Sequence, residues 1–269
     1  MKTVAIVGVG LIGGSFGLAL RAAGFTGKII GVSSPDAARE ALGRGIIDEA
    51  LPLADAAARA DLIYLARPIE GILSVLDEID QSVKPGTLIT DAGSTKSAIC
   101  CRATEKIARG QFVGGHPMAG KEARGAAAAE ATLFRARPYI LTSECSQLEE
   151  LIASFGARVV IMPAEEHDRL VALTSHLPQL ISTALAASIG TEPEAFRVAG
   201  PAAMDLTRLA LSPYEIWRDI FDTNATNIDA ALGVFIAKLE GLRDELRSPR
   251  IEHEFENAAA AARRLRGSS

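Results

Sequence analysis

"VAIVGVGLIGGSFGLAL", residues 4–20, decides how the rest of the chain is read. Four apolar residues run into Gly8, Gly10 and Gly13 at G-x-G-x-x-G spacing, after which Ile12, Phe16 and Leu20 repeat at helical intervals. This glycine spacing carries meaning where a buried strand turns directly into a helix. The first glycine permits the turn, the second lets backbone approach a pyrophosphate, and the third lets helix touch strand. The first amides of the helix, around Leu11 and Ile12, then meet an anion with the positive end of the helix dipole. A glycine-rich turn in a buried sheet is the simpler alternative, but strand, spacing and helix all agree. The stretch predicts a dinucleotide site formed by Gly8, Gly10, Leu11, Ile12 and Gly13.

Outward from it, apolar runs at 28–32, 61–66, 87–91, 112–115, 138–142 and 158–162 alternate with helical periods such as Ile69, Leu73 and Leu76. Such alternation predicts βαβ units, hence an α/β fold: a Rossmann-type doubly wound parallel sheet covered on both faces. Past Pro163 the strand patterns stop. Residues 164–190 read as one long helix that Pro178 kinks or breaks. Residues 213–247 read as another, with Ile228, Leu232, Phe235, Leu239, Leu242 and Leu246 in a stripe that needs a partner helix from this chain or a second copy. The expected division is therefore 1–163, a dinucleotide-binding domain, and 164–269, an all-helical one. The closing "GSS" reads as a frayed end.

Of the 269 residues, 48% are hydrophobic and 23% charged, and a net charge of -5 is spread over both signs without a like-charged block. That balance excludes nucleic acid as an expected partner. No signal peptide is read in the glycine-rich start, and no membrane span is expected. Three cysteines, Cys100, Cys101 and Cys145, make neither a disulfide framework nor a metal-ligand spacing, so no metal is expected and a reducing cytoplasm fits.

At the end of the second strand an acidic residue would hold the ribose hydroxyl of NAD. Here "GVSSPDAAR" puts Ser33 in that place, with Ser34, Asp36 and Arg39 after it. The choice between NAD and NADP stays open, and the serines equally suit a helix N-cap with Pro35 as the first helical residue.

A second stretch, "GGHPMAGKEARG" at 114–125, follows an apolar strand. Its His116 is flanked by glycines that let a ligand come close, and a neutral imidazole there is suited to take a proton from a hydroxyl as hydride leaves the same carbon. Upstream, "TDAGSTKSAI" at 90–99 carries Ser94 and Lys96 towards the same edge, although Ser94 or Thr95 would serve equally as an N-cap.

In order along the chain, "VGVGLIGGS", "DAGSTK", "GGHPMAGKEARG", "HDRLVALTSHLPQ" and "DLTRLALSPYEIWRDIF" resemble the motifs of the prephenate and arogenate dehydrogenases of tyrosine biosynthesis, over nearly the whole length. The resemblance implies a Rossmann domain joined to a helical domain that makes a homodimer. It implies oxidative decarboxylation of a small-molecule substrate, prephenate to 4-hydroxyphenylpyruvate or arogenate to tyrosine, with hydride transfer to NAD or NADP in the cytoplasm. Carried over by matching motif, His116 is the catalytic base on the ring hydroxyl and Ser94 orients that group. Glu122 is a carboxylate at the site edge, His167 and His176 are substrate-binding histidines, and Arg208 pairs with the ring carboxylate. Trp217 and Asp219 border the site near the dimer interface. Without the resemblance, Asp205 and Arg208 would be a surface ion pair one helical turn apart.

The chain departs from the family pattern in three places. Gln179 stands where many prephenate-using members have a second histidine, which leaves the choice between keto acid and amino acid open. Only Gly200 survives of a glycine-rich run before the arginine, and Arg67 replaces a small or apolar residue beside the cofactor. The rival enzymes, 3-hydroxyacid dehydrogenases and imine reductases, use a lysine on a helix of the second domain, and none occurs between 164 and 230. A dinucleotide sensor without chemistry is the rival from another class.

Overall fold

The structure, a computed structural model, describes residues 1–267, so Ser268 and Ser269 of the expected frayed end lie outside the described residues. β1 (Thr3–Val7) runs into α1 (Leu11–Ala22), as the opening stretch requires. Its residues are buried on both faces and divide by parity. Val4 and Ile6 join a cluster with Phe16 and Leu20, while Ala5 and Val7 join one with Ile72, Val75 and Leu76. This period-two division makes the central strand a continuous apolar run in sequence.

β2 (Lys28–Val32), α2 (Pro35–Gly43), β3 (Glu49–Ala50), α3 (Leu53–Arg59), β4 (Leu62–Leu65), α4 (Ile69–Glu78), β5 (Leu88–Asp91), α5 (Ser97–Lys106) and β6 (Gln111–Val113) complete a six-stranded parallel sheet of order β3-β2-β1-β4-β5-β6. β3 was not expected, because two residues are too few to show a period. A larger correction concerns the later strands. β7 (Gly115–Pro117), β8 (Pro138–Leu141) and, after α6 (Ser146–Ser154), β9 (Arg158–Ile161) do not extend that sheet but form a second one, with β7 antiparallel to β8. The chain leaves the first sheet at Gly114, whose N–H donates to Thr142 Oγ1 at 2.9 Å and whose carbonyl accepts from Thr142 N at 2.9 Å. A Cβ at 114 would sit 2.9 Å from Thr142 Cγ2 and Oγ1 and 2.8 Å from Cys100 Sγ on α5, so glycine lets the chain pass this close to the end of β8.

Past β9 the chain is helical: α7 (Ala164–Val171), a five-residue π-helical turn (Ala172–His176), α8 (Leu177–Gly190), α9 (Pro201–Thr207), α10 (Tyr214–Asp244) and α11 (Arg250–Leu265). The disruption expected from Pro178 takes the form of that wide turn just ahead of it, which accommodates the missing proline N–H without ending the helix. Ala164–Gly190 is long and apolar enough to cross a membrane by length and composition, contrary to the expectation of no such segment. Yet it buries Asp168, His176, Gln179 and Ser182 in hydrogen bonds to other elements, the pattern of a core helix. α10 carries one non-helical residue, Asn224 (φ -134°, ψ 18°). Ala172, Leu177, Ile220, Ile228 and Ala231 share a core with α4, so the helical half is packed onto one face of the sheet.

Candidate active site

The glycine turn divides its labour. Gly8 has φ +98° and donates to Val32 O at 2.8 Å, and a Cβ there would run into the Ala66 carbonyl. A Cβ on Gly13 would run into the Gly8 carbonyl. Those two glycines serve the protein's own packing. Gly10 has nothing within 4 Å of where its Cβ would lie, and it stands at the N-cap of α1 with no side chain capping the helix. Open space over uncapped helix amides fits a pyrophosphate, the group a dinucleotide brings to this position.

Around that turn, Ser33 and Ser34 are exposed just past β2. Ser34 occupies the N-cap position of α2, with Pro35 first in the helix, but its hydroxyl makes no capping bond. Arg39 is paired with Asp36 at 3.0 Å. Arg67 is exposed, with its stem against Gly8 and its guanidinium folded over Gly71 on the first turn of α4.

His116 lies in the middle of β7, opposite Ile140, and its ring is half-buried. Its Nδ1 is 2.8 Å from His167 Nε2, and His167 Nδ1 is 2.8 Å from Asp168 Oδ1. Asp168 also accepts the Lys96 amide at 2.7 Å and the Ser97 amide at 2.8 Å. A carboxylate from the helical half thus caps α5 in the nucleotide half, the place where Ser94 or Thr95 was an alternative cap. Ser94 is half-buried beside this turn, and Thr95 instead bonds Thr223 at 2.7 Å. Burial holds His116 well below the usual 6.5, with His167, Lys96 and His176 adding to the effect. Burial works against ionisation of Asp168, but hydrogen bonds from His167, Ser97 and Lys96 outweigh it and lower its pKa.

Beneath the histidine, Lys96 and Asp91 form a fully buried ion pair. The remaining capacity of Asp91 is used by Gly93 N at 2.7 Å and Gly115 N at 3.0 Å, which ties the end of β5 to the residue before His116. His167, expected at the substrate, has no exposed surface and lies behind His116. His176 is likewise buried: Asn224 Nδ2 sits 3.2 Å from its Nδ1, the Trp217 ring packs edge-on, and burial pushes its pKa down to about 4.

A cavity of about 620 Å³ opens between the loop after His116 and the helical half, lined among others by Lys121, Glu122, Gln179, Arg208, Ser212 and Trp217. It brings together Glu122, Gln179, Arg208 and Trp217; His116 and Ser94 are not on its lining. Arg208 is exposed and faces Glu122 at 3.7 Å, not Asp205. Gln179 donates to Leu209 O at 2.9 Å and to Thr183 Oγ1 at 3.3 Å. Asp219 accepts the Glu70 amide at 3.1 Å, capping α4 from the other half.

Sequence reasoning missed Asp168, Asp91 and Asn224. The bonds that carry them across the fold, to Lys96 from Asp168, to Gly115 from Asp91 and to the Asp168 carbonyl from Asn224, span 24 to 72 residues, and no local spacing announces those. The local signals available were the adjacency of Asp168 to His167 and the closeness of Asp91 to Lys96 within one motif.

Comparison with known proteins agrees with this architecture. Residues 16–161 match the family model described as prephenate dehydrogenase, nucleotide-binding domain, and residues 163–258 the one described as prephenate dehydrogenase, dimerization domain. The prephenate dehydrogenase of Lactococcus lactis is 36% identical over 231 residues, covering 83% of this chain and 65% of its own length. That of Bacillus subtilis is 34% identical over 268 residues, covering 94% of this chain and 72% of its own. The chain therefore spans about two thirds to three quarters of those relatives. Among solved structures, prephenate dehydrogenase from A. aeolicus, in complex with hydroxyphenyl propionate and NAD+, superposes with a TM-score of 0.92 at 29% identity, covering 98% of each chain.

Proposed function

The chain belongs to the prephenate dehydrogenase family, and from that premise we propose that it catalyses the NAD(P)-dependent oxidative decarboxylation of prephenate or arogenate, the step towards tyrosine. The observation that carries this reading is His116, kept uncharged by burial and next in its strand to Gly115, whose amide donates to the buried Asp91 carboxylate and so ties the strand to the edge where the dinucleotide turn opens.

Gly10 and the uncapped amides at Leu11 and Ile12 hold the pyrophosphate, with Ser33, Ser34 and Arg67 around the turn. A bound nicotinamide nucleotide supplies the two-electron acceptor. His116 takes the proton from the ring hydroxyl, which it can do at neutral pH because it is not already protonated. Ser94, free of any capping role, orients that hydroxyl. Arg208 holds the ring carboxylate in the cavity, and its fork suits a bidentate grip. Glu122 keeps that guanidinium at the cavity mouth, while Gln179 and Trp217 line the space for the rest of the substrate. Loss of carbon dioxide needs no further base, because aromatisation drives it. Ser33 neither repels a 2′-phosphate nor grips a ribose hydroxyl as a carboxylate would, so this position selects neither NAD nor NADP.

The rival dehydrogenases are disfavoured because Lys238, the first lysine of the helical half, is paired with Glu254 on the exposed side of α10. Assembly follows from the same half: Leu239 and Leu246, one heptad apart in the stripe read over residues 213–247, remain exposed, apolar surface that a second copy covers in a homodimer. Steady-state rates on prephenate and arogenate, each with NAD and NADP, test the reading. Turnover of at least one substrate is expected, with His116→Asn abolishing it while dinucleotide affinity is kept. A dinucleotide that binds with no rate on either substrate would make the protein a sensor instead.

A further inference from the structure

We propose that His167 and Asp168 are positioning residues: they hold His116 in the tautomer whose Nε2 carries the lone pair, and His167 takes over the positive charge when His116 accepts a proton. This rests on the reading of His116 as the base.

The tautomers follow from donor arithmetic. An ionised carboxylate only accepts, so Asp168 Oδ1 at 2.8 Å requires a proton on His167 Nδ1. Neutral His167 then has its lone pair on Nε2, and the 2.8 Å contact from there to His116 Nδ1 requires a proton on the latter. The lone pair of neutral His116 is left on Nε2, the nitrogen outside the chain of bonds. Nothing in this chain of assignments is free to rotate. Asp168 is fixed by the Lys96 and Ser97 amides, and Asn224 Nδ2 holds the Asp168 carbonyl at 2.8 Å.

The other charged groups packed around it sharpen the second half of the proposal. Lys96 is the nearest cation and is paired with Asp91; His176 is the nearest other imidazole, and it stays neutral to about pH 4. A positive charge left on His116 would sit in a partly desolvated place with, among the described residues, an imidazole and no carboxylate bonded to it. The same charge on His167 sits 2.8 Å from a carboxylate. The step balances as two proton moves. The substrate hydroxyl proton forms a bond to His116 Nε2, and the His116 Nδ1 proton passes to His167 Nε2. His116 ends neutral as the opposite tautomer, and the imidazolium is His167, paired with Asp168.

Histidine labelled with 15N in both ring positions reports the tautomer of each ring in the free enzyme. At about pH 8, above the usual imidazole range, His116 and His167 should both show Nδ1 protonated and Nε2 bare. In Asp168→Asn, His116 should become a mixture of tautomers and kcat should fall by roughly 10²–10⁴-fold, as for other buried carboxylates that orient a catalytic imidazole. The substrate KM and dinucleotide Kd should stay within about threefold. Because Asp168 also caps α5, His167→Phe provides a second route that leaves the cap in place, with the same loss in kcat expected. A wild-type His116 carrying its proton on Nε2, or a His167→Phe enzyme with near-normal kcat, overturns the proposal. The predicted tautomers in a protein that turns over neither substrate would instead sink the functional reading alone.

Discussion

Replacing Lys96 with methionine should unfold this protein more readily than any surface change, and the geometry sets the size of the effect. Lys96 and Asp91 are both without solvent exposure and pair with each other. Removing the cation leaves Asp91 with the Gly93 and Gly115 amides, at 2.7 and 3.0 Å, but with no charge to balance it. Breaking a buried pair from one side costs about 3–5 kcal/mol, whereas an exposed pair is worth under about 1 kcal/mol. At roughly 2–4 °C per kcal/mol for chains of comparable size, the midpoint of thermal unfolding should fall by roughly 6–20 °C. Urea unfolding at constant m checks the same quantity. The double variant Lys96→Met with Asp91→Asn discharges the stranded carboxylate while keeping one acceptor for the amides. It should be more stable than the sum of the single losses by about 0.5–3 kcal/mol. A single variant that loses less than about 1 kcal/mol, or a strictly additive double variant, would refute the claim that the pair acts as a buried unit. Lys96 also lowers the His116 pKa, so Lys96→Met should move the acid limb of kcat/KM upward towards 6.5.

The two inner glycines of the turn should separate fold from ligand. Gly13→Ala, whose Cβ meets the Gly8 carbonyl and Ile6 Cγ2, should lower stability by about 1–3 kcal/mol in thermal melts. Gly10→Ala, with nothing within 4 Å, should melt normally yet lose dinucleotide affinity in a fluorescence titration; equal melts and equal affinities for the pair would end that distinction. Stability itself should depend on acid. Unfolded His176 takes a proton near 6.5 but the folded residue resists until about 4, so the unfolded state binds more protons between those values. The urea midpoint should therefore drop as pH falls through that window, and His176→Asn should flatten the slope. Arg208 is exposed, so Arg208→Ala should leave the melting temperature within about 2 °C, as is usual for surface substitutions. Its substrate KM should rise about tenfold or more, from loss of a charge-assisted pair; an unchanged KM would return Arg208 to a structural role.

The nucleotide turn was legible because everything that makes it is local: five strand residues, three glycines and the first turn of one helix. The local distortion at Pro178 was legible for the same reason, although not its form as a π turn that leaves the helix continuous. Sheet membership was not. β8 and β9 have the same apolar character as the parallel strands, and their pairing with β7 in a second sheet depends on the reversal at Gly114, which depends in turn on Thr142. The cap of α5, left open between a hydroxyl cap and a ligand role, was no more legible. Two hydroxyls stood ready at the start of α5, but the bonding went to Asp168, a charge with greater pull on helix amides and a place provided by the other half of the chain.

By itself, then, the sequence determined that a dinucleotide-type turn exists, which half is sheet and which is helix, and that His116, Ser94 and Arg208 are the residues to watch. Only the tertiary structure decided that His167 stands behind His116 instead of beside a substrate, that Asp168 completes the line, and that Glu122 is the partner of Arg208. Local pattern records the periodicity and turn chemistry of neighbours along the chain. The state of an imidazole is set by which acceptors lie within 3 Å of its two nitrogens, and those acceptors reach it from distant segments only when the two halves pack together.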